Sequence, residues 1–255
     1  MAEDFNFEAK IYDYVWGSKD YHPEVLALDR IFKKFSVKDI LDAGCGTGNH
    51  AILLGELGYN VIGVDISEEM VKRAKGKNKW ENVKFFVEDI RELNFREEFD
   101  ATICLGVTIA HMVTDRDMDM FFASIYNALR SEGIFIFNAK NAKRIDESLL
   151  NKLRPGEYVN VEDLRIMSLD FVSRDKENPN VLIWEPIWFI KEGSTVDFIR
   201  RKIKLRWFYK DEIMSFIKKH NFRVIEVLGD SLTGDTFDET IHSEMYFVLQ
   251  KSNKV

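Results

Sequence analysis

KDILDAGCGTGNHAILLGELGYNVIGVDIS, residues 38–67, reads as a strand, a glycine loop, a helix and a second strand that ends in an acid. Asp39 to Ala43 is a short apolar-rich run, the pattern of a buried parallel strand. Gly44, Gly46 and Gly48 follow at a spacing of two. Glycines so placed allow positive φ and let a ligand lie against bare backbone. Asn49 to Leu57 is helical in pattern, and Gly58 stands where a C-terminal glycine cap belongs. Val61 to Val64 is the second buried strand. Asp65 closes it roughly 20 residues past the loop, where a carboxylate can accept both hydroxyls of a ribose. The loop by itself also suits a tight turn without ligand, or an NAD-binding unit.

The alternation continues downstream. Ser67 reads as an N-cap, with Glu68 and Glu69 in the first turn of a helix to about Lys77. Val83 to Val87 is the third strand, and Glu88-Asp89-Ile90 follows at its carboxyl end, the rim where open α/β sheets place ligands. Phe99 to Leu105 is the fourth strand. Asp115 to Leu129 is an amphipathic helix, and Ile134 to Ala139 the fifth strand. Ala142 to Leu153 reads as a polar helix that stops at Arg154-Pro155-Gly156. Leu164 to Val172, Val181 to Ile190 and Thr195 to Arg206 read as antiparallel strands. The last carries Arg200, Arg201, Lys202, Lys204 and Arg206, a basic sheet face that is either solvated or set against an anion or partner. Tyr209 to His220 is a helix, and strands six and seven are Arg223 to Leu228 and Met245 to Gln250. Ahead of the first strand, Asp4 to Tyr21 is rich in aromatics and is either a lid or a helix packed on the core. Pro23 opens a further helix to about Phe35.

These elements predict an α/β fold: a seven-stranded, mostly parallel Rossmann-like sheet with helices on both faces and an antiparallel β insertion after strand 5. The expected divisions are residues 1–36 (lid and first helix), 37–141 (cofactor-binding core), 142–208 (substrate cover) and 209–255 (end of the core). A hydrophobic content of 45% in 255 residues is ample for such a core, and a net charge of −7 argues against a broad nucleic-acid surface. No apolar run approaches the roughly 18 residues of a membrane span, and the acidic N-terminus does not read as a signal peptide. With two cysteines expected to be reduced, a cytoplasmic protein is expected. No metal-ligand spacing occurs, so no metal is expected.

LDAGCGTG with VDIS downstream resembles the class I S-adenosylmethionine (SAM) methyltransferases. FDATICLGVTIAHM, residues 99–112, is similar to the matching segment of glycine and sarcosine N-methyltransferases, and IYDYVWGSKDY, residues 11–21, to the lid of amino-sugar N-methyltransferases. The resemblance implies SAM as methyl donor, with S-adenosylhomocysteine as product. It implies cofactor contacts from Gly44, Cys45, Gly46, Gly48, Asp65, Ile66, Met70, Asp89, Ile90 and the Leu105 carbonyl, and lid contacts from Trp16 and Tyr21. On the substrate side it implies Tyr12, His111 and Lys140, the last at the position where glycine-type enzymes hold a substrate carboxylate. Val107 departs from the asparagine usual there, which weakens the implication that glycine is the substrate. The expected activity is methyl transfer to a small molecule, most readily at an amine nitrogen, without nucleic-acid or membrane partners; a homo-oligomer is left open. An O-methyltransferase and a non-catalytic SAM-binding module are the alternatives.

Overall fold

The computed structural model describes residues 2–17 and 19–252. In chain order the first half comprises α1 (Ala2–Val15), α2 (His22–Lys34), β1 (Asp39–Ala43), α3 (Asn49–Glu56), β2 (Asn60–Asp65), α4 (Glu68–Lys77), β3 (Val83–Val87), β4 (Phe99–Cys104), α5 (Asp115–Ala128) and β5 (Leu129–Lys140). The second half comprises β6 (Leu153–Val161), β7 (Leu164–Arg174), β8 (Val181–Glu192), β9 (Thr195–Arg200), β10 (Ile203–Arg206), α6 (Lys210–Lys219), β11 (Phe222–Gly229) and β12 (Glu244–Lys251). The main sheet runs β11-β12-β5-β4-β1-β2-β3. β1 pairs in parallel with β2 and β4, and β12 lies antiparallel between β5 and β11.

Side-chain alternation splits the core into two layers. Ile40, Ala101, Ile103, Ile134 and Ile136 face α2, α3 and α4, meeting Leu28, Phe32, Leu54 and Val71. Leu41, Phe135, Phe137 and Phe247 face α5 and α6. Phe122 of α5 is fully buried there and packs edge-on against Phe121, Phe135 and Phe137 while stacking on Phe216. Helix starts follow their caps. The Ser67 hydroxyl accepts from the Met70 amide, and Thr114 and Asp117 form a reciprocal capping box at the start of α5.

The segment after β5 differs from the expectation. Residues 142–153 are no helix: two short 3-10 turns, Ala142–Arg144 and Glu147–Leu149, precede β6. Asn141 and Asp146 each accept a hydrogen bond from the amide two residues on, a local closure that competes with helix propagation. Pro155 and Gly156 terminate nothing. They sit inside β6 at a register shift between Pro155 and Tyr158, which adds a fourth strand to the insertion.

The strand expected over 195–206 is two. β9 pairs β8 from Ile187 to Glu192, and β10 pairs it from Val181 to Trp184. Pro186 lies between and has no amide hydrogen to donate, so the ladder breaks there. The break disperses the basic run. Arg200 pairs Glu185 and Lys204 pairs Asp175, while Arg206, 5% exposed, turns inward to Asp115 and Glu212. No single basic face results.

Candidate functional site

Each glycine of the loop has its own steric reason. Gly44 has φ +79°, and a Cβ there would sit 2.4 Å from Thr108 Cγ2. The bare backbone lets the chain after β4 close on the loop, and the Thr108 hydroxyl donates to the Leu105 carbonyl at 2.9 Å. Gly48, at φ +81°, faces the Phe85 ring 2.7 Å from its would-be Cβ. Only Gly46, at φ +53°, faces open space, with nothing within 4 Å. Gly44 and Gly48 are thus required by close packing, and Gly46 alone of the three has open space where a side chain would stand.

The two strands that flank the loop each bring an acid, the half-buried Asp65 of β2 and the buried Asp42 of β1. Asp65 accepts from the Gly46 amide through Oδ2 and from the Ser67 amide through Oδ1, each at 2.9 Å. Burial raises its carboxyl above the usual range against the pull of those amides. Asp42, 2% exposed, is pushed up to about 6 by burial. Its Oδ2 has no hydrogen-bond partner among the described residues. A buried acceptor left without a donor is what a ligand bearing N–H or O–H groups would complete. The residues present thus fit a nucleoside with an ammonium group.

α1 lies across this loop and is tied to it at two points. Asn6 Oδ1 accepts from the Ser67 hydroxyl at 2.7 Å. Asp13 accepts from the Thr47 hydroxyl at 2.6 Å and from Lys77 Nζ at 3.0 Å, and Lys77 also reaches Asn49 at 2.8 Å. Tyr12 rests 5.0 Å from Trp16, whose ring meets Trp188 of the second sheet at 6.1 Å. Burial, with Tyr21 and Asp65 nearby, raises the Tyr12 phenol. Tyr21 packs edge-on against His50 at 5.0 Å. Replacing Lys77 with Met should loosen this latch by about 1 kcal/mol. Amide exchange within α1 should then quicken roughly fivefold while the main sheet keeps its protection. Unchanged exchange in α1 would show that Lys77 does not hold it down.

Three substrate- and adenine-side expectations meet occupied groups. Lys140 is ion-paired with Glu244, whose other oxygen accepts from Asn138 Nδ2 at 3.0 Å. Asp89 is gripped by Arg91 through Nη2 at 2.6 Å and Nε at 3.0 Å, and Arg91 passes on to Asp117 at 2.6 Å. Arg91 outweighs burial and holds the Asp89 carboxyl below its usual range. His111 ends the 3-10 turn Thr108–His111, its ring edge-on to Phe5 at 4.8 Å. Burial lowers it to about 4, so it is a neutral imidazole at pH 7. The Cys45 thiol, pushed well up by burial, faces the Gly46 carbonyl. Met70 and Ile90 are buried and Ile66 is half-buried at the same rim.

Residues 40–133 match a family described as a methyltransferase domain. An uncharacterized methyltransferase of Schizosaccharomyces pombe is 34% identical over 105 residues, covering 40% of this chain and 71% of that one. The chain belongs to the methyltransferase family. The glycine/sarcosine N-methyltransferase of Parasynechococcus marenigrum is 35% identical over 122 residues, 46% of this chain, which spans only 43% of that enzyme's length. Among solved structures, the sugar N-methyltransferase KedS8 from Streptoalloteichus superposes with a TM-score of 0.76 at 19% identity, covering 92% of this chain and 89% of that one. At that identity the likeness speaks for the fold.

This methyltransferase also has a polar floor that local sequence patterns did not reveal. It comprises Asn138 and Lys140 at the end of β5 with Glu244 and Tyr246 of β12. The Tyr246 hydroxyl donates to Glu24 at 3.2 Å, and Glu24 also contacts His50 at 2.9 Å and Lys19 at 2.7 Å. Burial opposes ionisation of Glu24, but hydrogen bonds from His50 and Lys19 hold it at about 2. Asp42 heads the glycine motif and was readable as part of it. Tyr246 and Glu244 carry no local signal, because they reach the floor only through the antiparallel register of β12 on β5. Among the described residues no group of three or more His, Cys, Asp or Glu is placed to hold a metal ion, and no helix is long and apolar enough to cross a membrane.

Proposed function

We propose that the chain transfers a methyl group from SAM to the nitrogen of a small-molecule amine. The observation that carries the cofactor half is the open backbone at Gly46 flanked by the Asp65 carboxylate and the partnerless Asp42 oxygen. Asp65 would accept the ribose hydroxyls, Asp42 would face the ammonium of the amino-acid part, and Ile90 with Asp89 would border the adenine. Tyr12, Trp16 and Tyr21 would cover the bound cofactor and exclude water. SAM supplies a methyl electrophile on its sulfonium.

The chain's task is to align a lone pair with that methyl, and alignment can supply several kcal/mol of the barrier. Nitrogen is favoured over oxygen because an alcohol needs a base, and the nearby candidates serve poorly. His111, held at about 4, is a weak base, and burial pushes the Tyr246 phenol up. Relatives named as glycine/sarcosine N-methyltransferases support the same choice.

The test is label transfer from SAM to a panel of amines and alcohols across pH. The rate should rise with pH to a plateau at the acceptor's own pKa and move with it when the amine is changed. A profile that stays flat from about pH 6 to 10, or transfer to alcohols alone, would reject the amine.

A further inference from the structure

The floor at the junction of β5 and β12 contains one acceptor without a donor. Asn138 is 4% exposed, and its Oδ1 has no hydrogen-bond partner among the described residues. Its orientation is settled by the other end of the amide, since Nδ2 donates to Glu244 Oε2 at 3.0 Å and a carbonyl turned there would meet a carboxylate. Tyr246 is Asn138's register partner across the two strands, and Glu244 is that of Lys140. The amide, the carboxylate and the phenol thus stand at neighbouring register positions on the carboxyl rim.

We infer that Asn138, Glu244 and Tyr246 form the subsite that holds the acceptor nitrogen, and that the acceptor is an amine without a carboxylate next to it. This rests on the methyltransferase reading above and narrows its substrate. An amine brings N–H donors, which the orphaned Asn138 oxygen requires, while the Glu244 oxygens already accept from Lys140 and Asn138. Methyl transfer forms an N–C bond as the S–C bond breaks, and the positive charge passes from sulfur to nitrogen. The surplus N–H proton then leaves to water. A carboxylate beside that nitrogen favours the charge where it develops.

The same arrangement disfavours an α-amino acid. Lys140, at the strand end where a carboxylate would be gripped, is ion-paired with Glu244, and Lys19 with Glu24. Behind Tyr246 stand Glu24 and, beyond it, His50, which add oxygens and a ring.

The experiment titrates protein saturated with S-adenosylhomocysteine with n-butylammonium chloride and, separately, with sodium butyrate, by calorimetry. Saturable binding of the ammonium and none of the carboxylate is expected. Asn138→Leu and Glu244→Gln should each weaken the ammonium by about tenfold, with S-adenosylhomocysteine affinity held within about twofold as the check on folding. Tyr246→Phe should do the same to a smaller degree. Butyrate binding as well as or better than butylammonium, silence of both, or variants that bind butylammonium like the parent would each overturn the assignment. Failure of S-adenosylhomocysteine itself to bind would instead strike the cofactor reading on which the subsite rests.

Discussion

Replacing Gly48 with alanine is expected to cost the fold roughly 3 kcal/mol, the sum of about 1–2 for a side chain in the left-handed region and about 1–3 for overpacking. Gly48 has φ +81°, and its added Cβ would meet Phe85 Cζ at 2.7 Å and Ala74 Cβ at 3.0 Å. Phe85 has nowhere to retreat. It is 2% exposed, and the same ring edge already lies 2.6 Å from the would-be Cβ of Gly63. The ring is wedged between two glycines on neighbouring segments, so the loop and the β2–β3 edge strain together. Denaturant unfolding measures the cost. Gly46→Ala is the comparison: its Cβ enters open space, so only the left-handed penalty applies, about 1 kcal/mol. It should nevertheless weaken SAM more than stability, because the methyl stands where the ligand would lie. A Gly48→Ala protein as stable as the parent would mean that the loop is not packed as described.

This contrast shows how far the sequence reached. The glycine spacing, the flanking buried strands and Asp65 are local patterns, set by periodicity and turn chemistry within about 30 residues, and they appear in the structure where they were read. Which glycines are required by packing was not legible, because Thr108 and Phe85 arrive from elsewhere in the chain. Lys140 was placed at the right strand end, yet its partner Glu244 lies 104 residues downstream, so an expected free cation is a neutralised one. Asp89 illustrates the reverse case: its competitor, Arg91, is two residues away and was in plain view, but geometry decides whether so short a pair closes. In the insertion, Pro155-Gly156 has the composition of a helix stop, and strand pairing with β7 overrides it through a bulge.

Asp65→Ala is expected to weaken SAM by about 1–3 kcal/mol, the usual cost of losing a charged hydrogen-bond partner. The carboxylate has two tasks, because it also anchors the Gly46 and Ser67 amides. Asp65→Asn keeps one acceptor oxygen, so it should recover part of the loop's order but little of the ribose contact. Calorimetry with SAM on the two variants separates these tasks, and equal affinity in parent and alanine variant would remove Asp65 from the cofactor. The pH dependence of the same titration reports on Asp42. Its folded carboxyl titrates at about 6, above the roughly 3.9 of an unfolded aspartate. The folded state therefore binds more protons between those values, and this group's contribution favours the fold at low pH and fades as pH rises through about 6. A cationic ligand beside Asp42 pulls its pKa back down. Binding near pH 6 should accordingly release a proton, visible as a heat that changes with the buffer's ionisation enthalpy, and the release should vanish by about pH 8. A heat independent of buffer at pH 6, with affinity unchanged from pH 5 to 8, would place the ligand's positive charge away from Asp42.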